Sequence, residues 1–291
     1  MNRKNRCTFC VCCKPSDCDG GHSIVEHRHH NKRKHCGRHN GTVRVGITGQ
    51  SGFVGTNLYD FLGRQKDIER VPFAGEYFKD ESALQHFVSE CDVIVHLAAI
   101  SRHTDGQLMY DTNMRLVRQL IAAMEAVNAK PHVLFASTTH ESRDTLYHAS
   151  KRDGRRLLDE WSMRNGGRFT CMLLPNTFGP LGKPFYNSVV STFCCQIASG
   201  ETPKIMVDAP VQLIYIDDLC QELYKVITGK ITGGLCSPAP GTEKKVSDIL
   251  AILQRLKPLC QSHANLPCPA DKFEDNLFKT LKFYMDSSPN I

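Results

Sequence analysis

The chain has 291 residues, 41% hydrophobic and 23% charged, which allows one large domain or two closely joined ones with a sizeable core. No apolar run is long enough to span a membrane, and no apolar stretch follows the basic N-terminus, so neither a membrane span nor a secretory signal is expected. The net charge of +6 resides in residues 1–40, where nine Lys and Arg face three Asp and Glu; the neutral remainder argues against a body that binds nucleic acid.

Residues 1–41 form a basic arm rich in Cys and His. Cys7-x-x-Cys10 and Cys36-x-x-His39 could together supply four zinc ligands, but Cys12, Cys13, Cys18 and further histidines blur the register, and few apolar residues support a fold. The arm therefore reads as a disordered basic tail that contacts nucleic acid only non-specifically, with an ordered zinc knuckle as the alternative. No metal is expected in the body. The eight cysteines beyond the arm are scattered, several in apolar stretches such as Cys171 and the Cys194–Cys195 pair. That pattern suggests buried free thiols in a reducing compartment and a cytoplasmic protein.

"VRVGIT" at 43–48 is a short β-branched run that reads as a buried strand, and "GFVGTNLYDFLG" follows at helical spacing. A second strand is expected at 68–73, a helix at 80–90, and the clearest buried strand, "DVIVHLAA", at 92–99. Leu108, Met109, Leu116, Leu120, Ile121 and Met124 recur at helical spacing over 106–128. A strand at 132–137, a helix at 145–164 and a strand at 168–174 complete the regular half. Beyond about 177 the pattern loosens, with helices expected near 187–199, 217–228 and 246–256 and short strands near 204–207 and 211–216. Strand alternating with helix predicts an α/β fold with a parallel sheet covered on both faces.

"TGQSGFVG" sets Gly49, Gly52 and Gly55 three apart between the first strand and the first helix. Gly49 is expected to allow the tight turn, Gly52 to let the backbone approach a pyrophosphate, and Gly55 to let the helix pack on the sheet. The helix start at Phe53 and Val54 would offer free N–H groups and the positive dipole end to the phosphates.

Thr48 followed by Gly-x-x-Gly-x-x-Gly resembles the extended short-chain dehydrogenase/reductase family. The resemblance extends, in order, to "HLAA" at 96–99, "ASTTH" at 136–140, "YHASK" at 147–151 and "PNTFGP" at 175–180. "LPNTFGPLGKPFYNSVVSTFCCQIASGE" and "LIYIDDL" are similar to a narrower group, the CapF-type reductases of capsule synthesis. The resemblance covers roughly residues 43–285. It implies a Rossmann-like doubly wound parallel sheet over 42–180, which binds NAD(P), and a smaller C-terminal substrate-binding region over 181–291. It also implies NADPH as cofactor with NADH as the alternative, a UDP-sugar substrate and a homodimer. The sequence departs from the group in three places. It ends before a second, cupin domain could begin, which removes an expected epimerisation. Leu173 stands where Arg is common. "FAGEYFK" after the second strand offers no Arg for a 2′-phosphate, Lys79 being the nearest cation.

Within this resemblance Tyr147 is the expected proton donor to a ketone, and Lys151, one helical turn on, is expected to lower its pKa and hold the cofactor ribose. Thr138 supplies a second hydroxyl to the same carbonyl. Leu97, Ala98 and Pro175 join Gly49, Gly52, Phe53, Val54, Gly55 and Lys151 around the cofactor. Arg102, Asn176, Lys183, Tyr186 and Asn187 are the expected substrate contacts. Asp217 and Asp218 begin a helix and read as N-terminal capping and dipole compensation. The implied activity is reduction of the 4-keto group of a UDP-linked 6-deoxy-(N-acetyl)hexosamine. One alternative is a bifunctional 3-epimerase/4-reductase, with His140 and Lys183 as acid and base. Another is a catalytically silent dinucleotide sensor or RNA-binding protein on the same fold.

Overall fold

The structure is a computed structural model that describes residues 41–231, 233–239, 241–261 and 269–287. The arm, with its candidate zinc ligands Cys7, Cys10, Cys36 and His39, lies outside them. Six strands form the main sheet in the order β2-β1-β3-β4-β5-β8: β1 (Val43–Thr48), β2 (Ile68–Val71), β3 (Val93–His96), β4 (His132–Thr138), β5 (Arg168–Leu174) and β8 (Gly234–Cys236). All neighbours are parallel. Alternation along the strands feeds two cores. Val45, Ile47, Val93, Val95 and Leu134 face one side, where α1 (Phe53–Leu62), α5 (Val189–Ala198) and α6 (Ile216–Ile227) contribute to one cluster. Ile94, Val133 and Phe135 face the other, packing with α2 (Glu81–Glu90), α3 (Gly106–Ala126) and α4 (Leu146–Asn165). Strands buried on both faces explain the continuous apolar runs in the sequence. The sheet is thus Rossmann-like.

A second, three-stranded sheet, β6-β7-β9, joins β6 (Asn176–Phe178), β7 (Pro210–Tyr215) and β9 (Thr242–Lys245). The two sheets do not divide the chain at one point, because β6 leaves the main sheet directly after β5 and β8 returns to its edge. The strand expected near 204–207 does not form. Ile205, Met206 and Val207 are 36%, 90% and 72% exposed and no neighbouring strand pairs with them. The place beside β7 is taken by β9, whose "TEKK" carries no apolar signal but pairs antiparallel with β7.

Two helices differ from expectation at their ends. α7 (Val246–Gln261) runs past Pro258 instead of stopping near 256. α8 (Lys272–Ser287) was not anticipated, although its start carries a capping signature. Asp271 accepts the Glu274 N–H at 2.9 Å and Glu274 reaches back to the Ala270 N–H at 2.8 Å. Among the described residues no helix is long and apolar enough to cross a membrane, and the seven described cysteines are free.

Candidate active site

The strand order reverses at β1, with β2 on one side and β3 on the other, which opens a crevice at the carboxyl ends of β1 and β3. The glycine turn fills the head of that crevice. Gly49 has φ +76°, and a Cβ there would lie 2.7 Å from the Ala98 backbone nitrogen. The two strand ends are tied by Leu97 N–H to the Thr48 carbonyl at 3.1 Å and Ala98 N–H to Thr48 Oγ1 at 3.4 Å. A Cβ on Gly55 would meet the Gly49 carbonyl oxygen at 2.2 Å, so this glycine lets α1 pack on the turn itself, not on the sheet as expected. Gly52 is the N-cap of α1, without a side-chain cap and with no acidic residue in the first turn. A Cβ at Gly52 would touch only the Gly49 oxygen, at 3.3 Å. Free N–H groups at Phe53 and Val54, an open dipole end and a turn stripped of side chains fit a dinucleotide pyrophosphate. Beside the turn lies a cleft of about 520 Å³ bounded by α1, Phe73, Glu76, Ala98 and Leu116.

The expected donor set gathers at the ends of β4 and β5. Thr145 caps α4, its Oγ1 accepting the His148 N–H at 3.4 Å, so Tyr147 and Lys151 occupy the first turns of that helix. Lys151 is buried and donates to the Ala136 carbonyl at 3.0 Å, two residues before Thr138. Its Nζ lies 5.1 Å from the Phe135 ring centroid and 5.9 Å from that of Tyr147. Thr138 ends β4 half-buried, its Oγ1 accepting the His140 N–H at 3.2 Å, which leaves the hydroxyl proton free to donate elsewhere. Asn176 and Pro175 follow β5, with Asn176 Nδ2 on the Gln212 carbonyl at 3.3 Å.

Electrostatics corrects one expectation. Burial pushes the Tyr147 phenol up to about 12, with the Tyr186 phenol adding to the rise. Burial also lowers the Lys151 amine to about 8. Lysine was expected to depress tyrosine, but burial, which disfavours the charged form of each group, is the largest cause at both positions. At neutral pH the site therefore holds a proton-loaded phenol beside an ammonium that is ready to release its proton.

Four of the five expected substrate contacts lie where the loop after β3 meets the stretch from Lys183 to Asn187, while Asn176 lies apart on β6. Arg102 Nη1 donates to the carbonyls of Phe185 and Tyr186 at 3.3 and 2.5 Å, and Asn187 Nδ2 to Ser101 Oγ at 2.8 Å. Lys183 Nζ stands 5.0 Å from the Tyr186 ring centroid. Arg102 is thus engaged with loop backbone. Phe185 and Leu181 hold φ of +56° and +67°, a strained conformation for non-glycine residues, on either side of Lys183. Asp217 and Asp218 lie in the first turn of α6 but do not cap it; the N-cap is Tyr215, and Asp218 pairs with Lys272 at 2.6 Å.

Two supporting groups went unread in the sequence. Asn113 of α3 is buried, bonds both backbone groups of Ile100 at 2.7 and 2.9 Å, and donates to Ser150 Oγ at 3.1 Å. Ser150 in turn donates to the Tyr147 carbonyl at 2.7 Å, so this chain of bonds ties the loop after β3 to the tyrosine's own turn. Glu141 receives Arg155 at 2.9 Å just beyond Thr138. An Asn or Glu inside a polar stretch carries no signal of such pairing.

The model of the NAD dependent epimerase/dehydratase family matches residues 45–233, the stretch that holds the glycine turn, the donor set and β6. The chain belongs to this family. It is 31% identical over 194 residues to the UDP-2-acetamido-2,6-beta-L-arabino-hexul-4-ose reductase of Pseudomonas aeruginosa, covering 66% of this chain and 52% of that protein. The chain thus spans about half the length of that curated relative. Among solved structures, CapF, the capsular polysaccharide assembling protein of Staphylococcus aureus, superposes with a TM-score of 0.70 at 28% identity over 83% of this chain and 65% of CapF. A UDP-N-acetylglucosamine 4-epimerase from Methanobrevibacter ruminantium shares the fold, with a TM-score of 0.71 at 18% identity over 85% and 99% of the two chains.

Proposed function

We propose that this family member is an NAD(P)-dependent reductase of the 4-keto group of a UDP-linked 6-deoxy-(N-acetyl)hexosamine. The observation that carries this reading is the pairing on α4 of a proton-loaded Tyr147 with a buried Lys151, which is bonded to β4 two residues before Thr138, at the same carboxyl end of the sheet as the glycine turn. A relative named as a reductase of a UDP-linked hexul-4-ose supports the substrate class. A bound reduced nicotinamide would supply the hydride. Tyr147 then gives its proton to the developing alkoxide, and Thr138 donates a hydrogen bond to the same oxygen, so negative charge never builds up unsupported. The Lys151 ammonium stabilises the phenolate left behind. Incubation with a UDP-4-keto-6-deoxy-N-acetylhexosamine and a reduced dinucleotide should consume nicotinamide absorbance. A folded protein that binds the dinucleotide yet consumes none would favour the silent-sensor alternative.

The resemblance implies NADPH, but the cleft beside the glycine turn supports NADH. Its charged lining is Asp60 and Glu76, and neither Lys79 nor any arginine lines it. Arg70 is occupied elsewhere, donating to the Tyr59 carbonyl at 3.0 Å and stacking 4.0 Å from that ring. Carboxylates accept from a ribose 2′-hydroxyl and repel a 2′-phosphate. NADH is therefore expected to bind about tenfold tighter than NADPH in a fluorescence titration, with Glu76→Lys narrowing the gap. Equal affinities, or tighter NADPH, would return the NADPH reading.

For the bifunctional alternative the relevant residue is His140, half-buried and on the same turn as Thr138, with its pKa lowered by burial and by Arg143. A neutral imidazole there can accept a proton near neutral pH. A simple reductase yields a product free of solvent deuterium beside the carbinol when run in deuterated water. Deuterium at that carbon, lost in His140→Ala while reduction survives, would instead establish epimerisation, with Lys183 as the candidate partner.

A further inference from the structure

The connection between Thr138 and Tyr147 is short and runs as successive tight turns. The Glu141 N–H donates to the Thr138 carbonyl at 3.2 Å, Arg143 N–H to His140 at 3.0 Å, and Thr145 N–H to Arg143 at 3.1 Å. α4 holds these turns with two arginines that follow the lysine. Arg152 donates to the carbonyls of Glu141 and Arg143. Arg155, one turn beyond Lys151, meets the Glu141 carboxylate through Nε at 3.2 Å and Nη2 at 2.9 Å. The buried Ser137 hydroxyl, next to Thr138 on the opposite face of β4, closes the group by donating to the same carboxylate. The Glu141 side chain is 14% exposed.

We propose that Glu141 is a positioning residue of the reductive site: pinned by Arg155 and Ser137, it fixes the turn that carries Thr138 and supplies the negative charge that acts on Lys151. The inference rests on the reductase reading for its catalytic consequence but not for its electrostatic one.

The groups facing Lys151 identify Glu141 as the source of charge. On β5, Cys171 lies in electrostatic range, but burial pushes its thiol up to about 12, so it is uncharged at neutral pH. On β3, His96 is lowered to about 3 by burial and by Lys151, and is neutral too. On α4, Tyr147 holds its proton to about 12. That leaves Glu141 as the acidic side chain acting on the ammonium among the described residues, held in place by the bonds from Arg155 and Ser137. Arg155 partly offsets that anion while holding it in place. A half-buried carboxylate kept by a two-point arginine contact is held rigidly, as a positioning group must be.

Two substitutions separate this role from simple loss of packing. Glu141→Gln removes the charge at constant shape, and Arg155→Met leaves the charge but removes its counter-ion. Each should lower kcat about tenfold through the displaced turn, with KM for the sugar changing less. Their alkaline limbs should move in opposite directions. In Glu141→Gln the Lys151 ammonium loses its anion, and activity should fall off at lower pH than in the wild type. In Arg155→Met the anion is unopposed, and the limb should move to higher pH. The pH dependence of dinucleotide fluorescence binding, measured without sugar, should show the same opposed shifts. If the wild-type protein reduces no 4-keto sugar but binding still shows them, the substrate reading fails and this inference stands. Unshifted limbs, or shifts of the same sign, in folded variants overturn it. Should Glu141→Gln not fold, Glu141→Asp, which keeps the charge, must retain the wild-type limb, and loss of that limb overturns the inference equally.

Discussion

Tyr147→Phe is expected to lower ketone reduction by about 10²–10⁴-fold, the range typical of a positioned proton donor, while leaving the fold intact. The phenol is half-buried, and its Oη makes no hydrogen bond to the described residues, so removing it strands no partner. The ring remains and keeps its edge contact with His148 at 5.2 Å between centroids. Because burial holds the phenol near 12, it keeps its proton at neutral pH. The check is turnover beside a thermal melt. Near-normal turnover by a variant with a wild-type melt would remove Tyr147 from the mechanism.

Lys151→Met is expected to do two opposite things. Turnover should fall about 10²-fold or more and dinucleotide binding should weaken, since the ammonium that supports the phenolate is gone. Stability at neutral pH should rise. The amine's folded value, about 8, lies below its ordinary 10.5 because burial penalises the charged form. The unfolded chain therefore binds the proton more tightly, and the charged lysine destabilises the fold at all pH below about 8. That cost amounts to about 3–4 kcal/mol at most, since each tenfold loss of proton affinity corresponds to about 1.4 kcal/mol. The lost bond to the Ala136 carbonyl offsets about 1 kcal/mol of it. The variant should gain ~1–2 kcal/mol at pH 7, and the gain should shrink as pH rises from about 8 towards 10.5. Urea unfolding at pH 7 and pH 10 reads it directly. A variant no more stable than wild type at pH 7 would mean that the Ala136 contact already satisfies the ammonium.

A lysine that destabilises the fold yet stays buried next to a tyrosine is what a functional site looks like energetically. The Glu141–Arg155 pair fits the same picture. It spends two charged side chains on a short turn that would otherwise be free to shift Thr138.

The Rossmann-like sheet was legible because its signals are local. β1, β3, β4 and β5 are apolar runs buried on both faces, and such runs identify themselves without knowledge of their neighbours. The glycine turn was legible for the same reason, since Gly49 and Gly55 stand where a Cβ would strike backbone within a few residues or across one strand pair. The Tyr147–Lys151 spacing, one turn on a single helix, is equally a property of adjacent sequence. What only the tertiary structure decided depends on partners far apart in the chain. β9 forms from "TEKK" because β7 offers it an edge, whereas "IMV" at 205–207 finds none and stays exposed. Arg102 is engaged by a loop more than eighty residues away. The direction of the Tyr147 shift reverses the simple pairwise expectation, because desolvation is set by everything packed around the phenol. Periodicity and backbone conformation are written residue by residue, so the sequence determined the sheet and the turn; burial and long-range pairing arise only when the chain closes on itself, and those set the chemistry of the site.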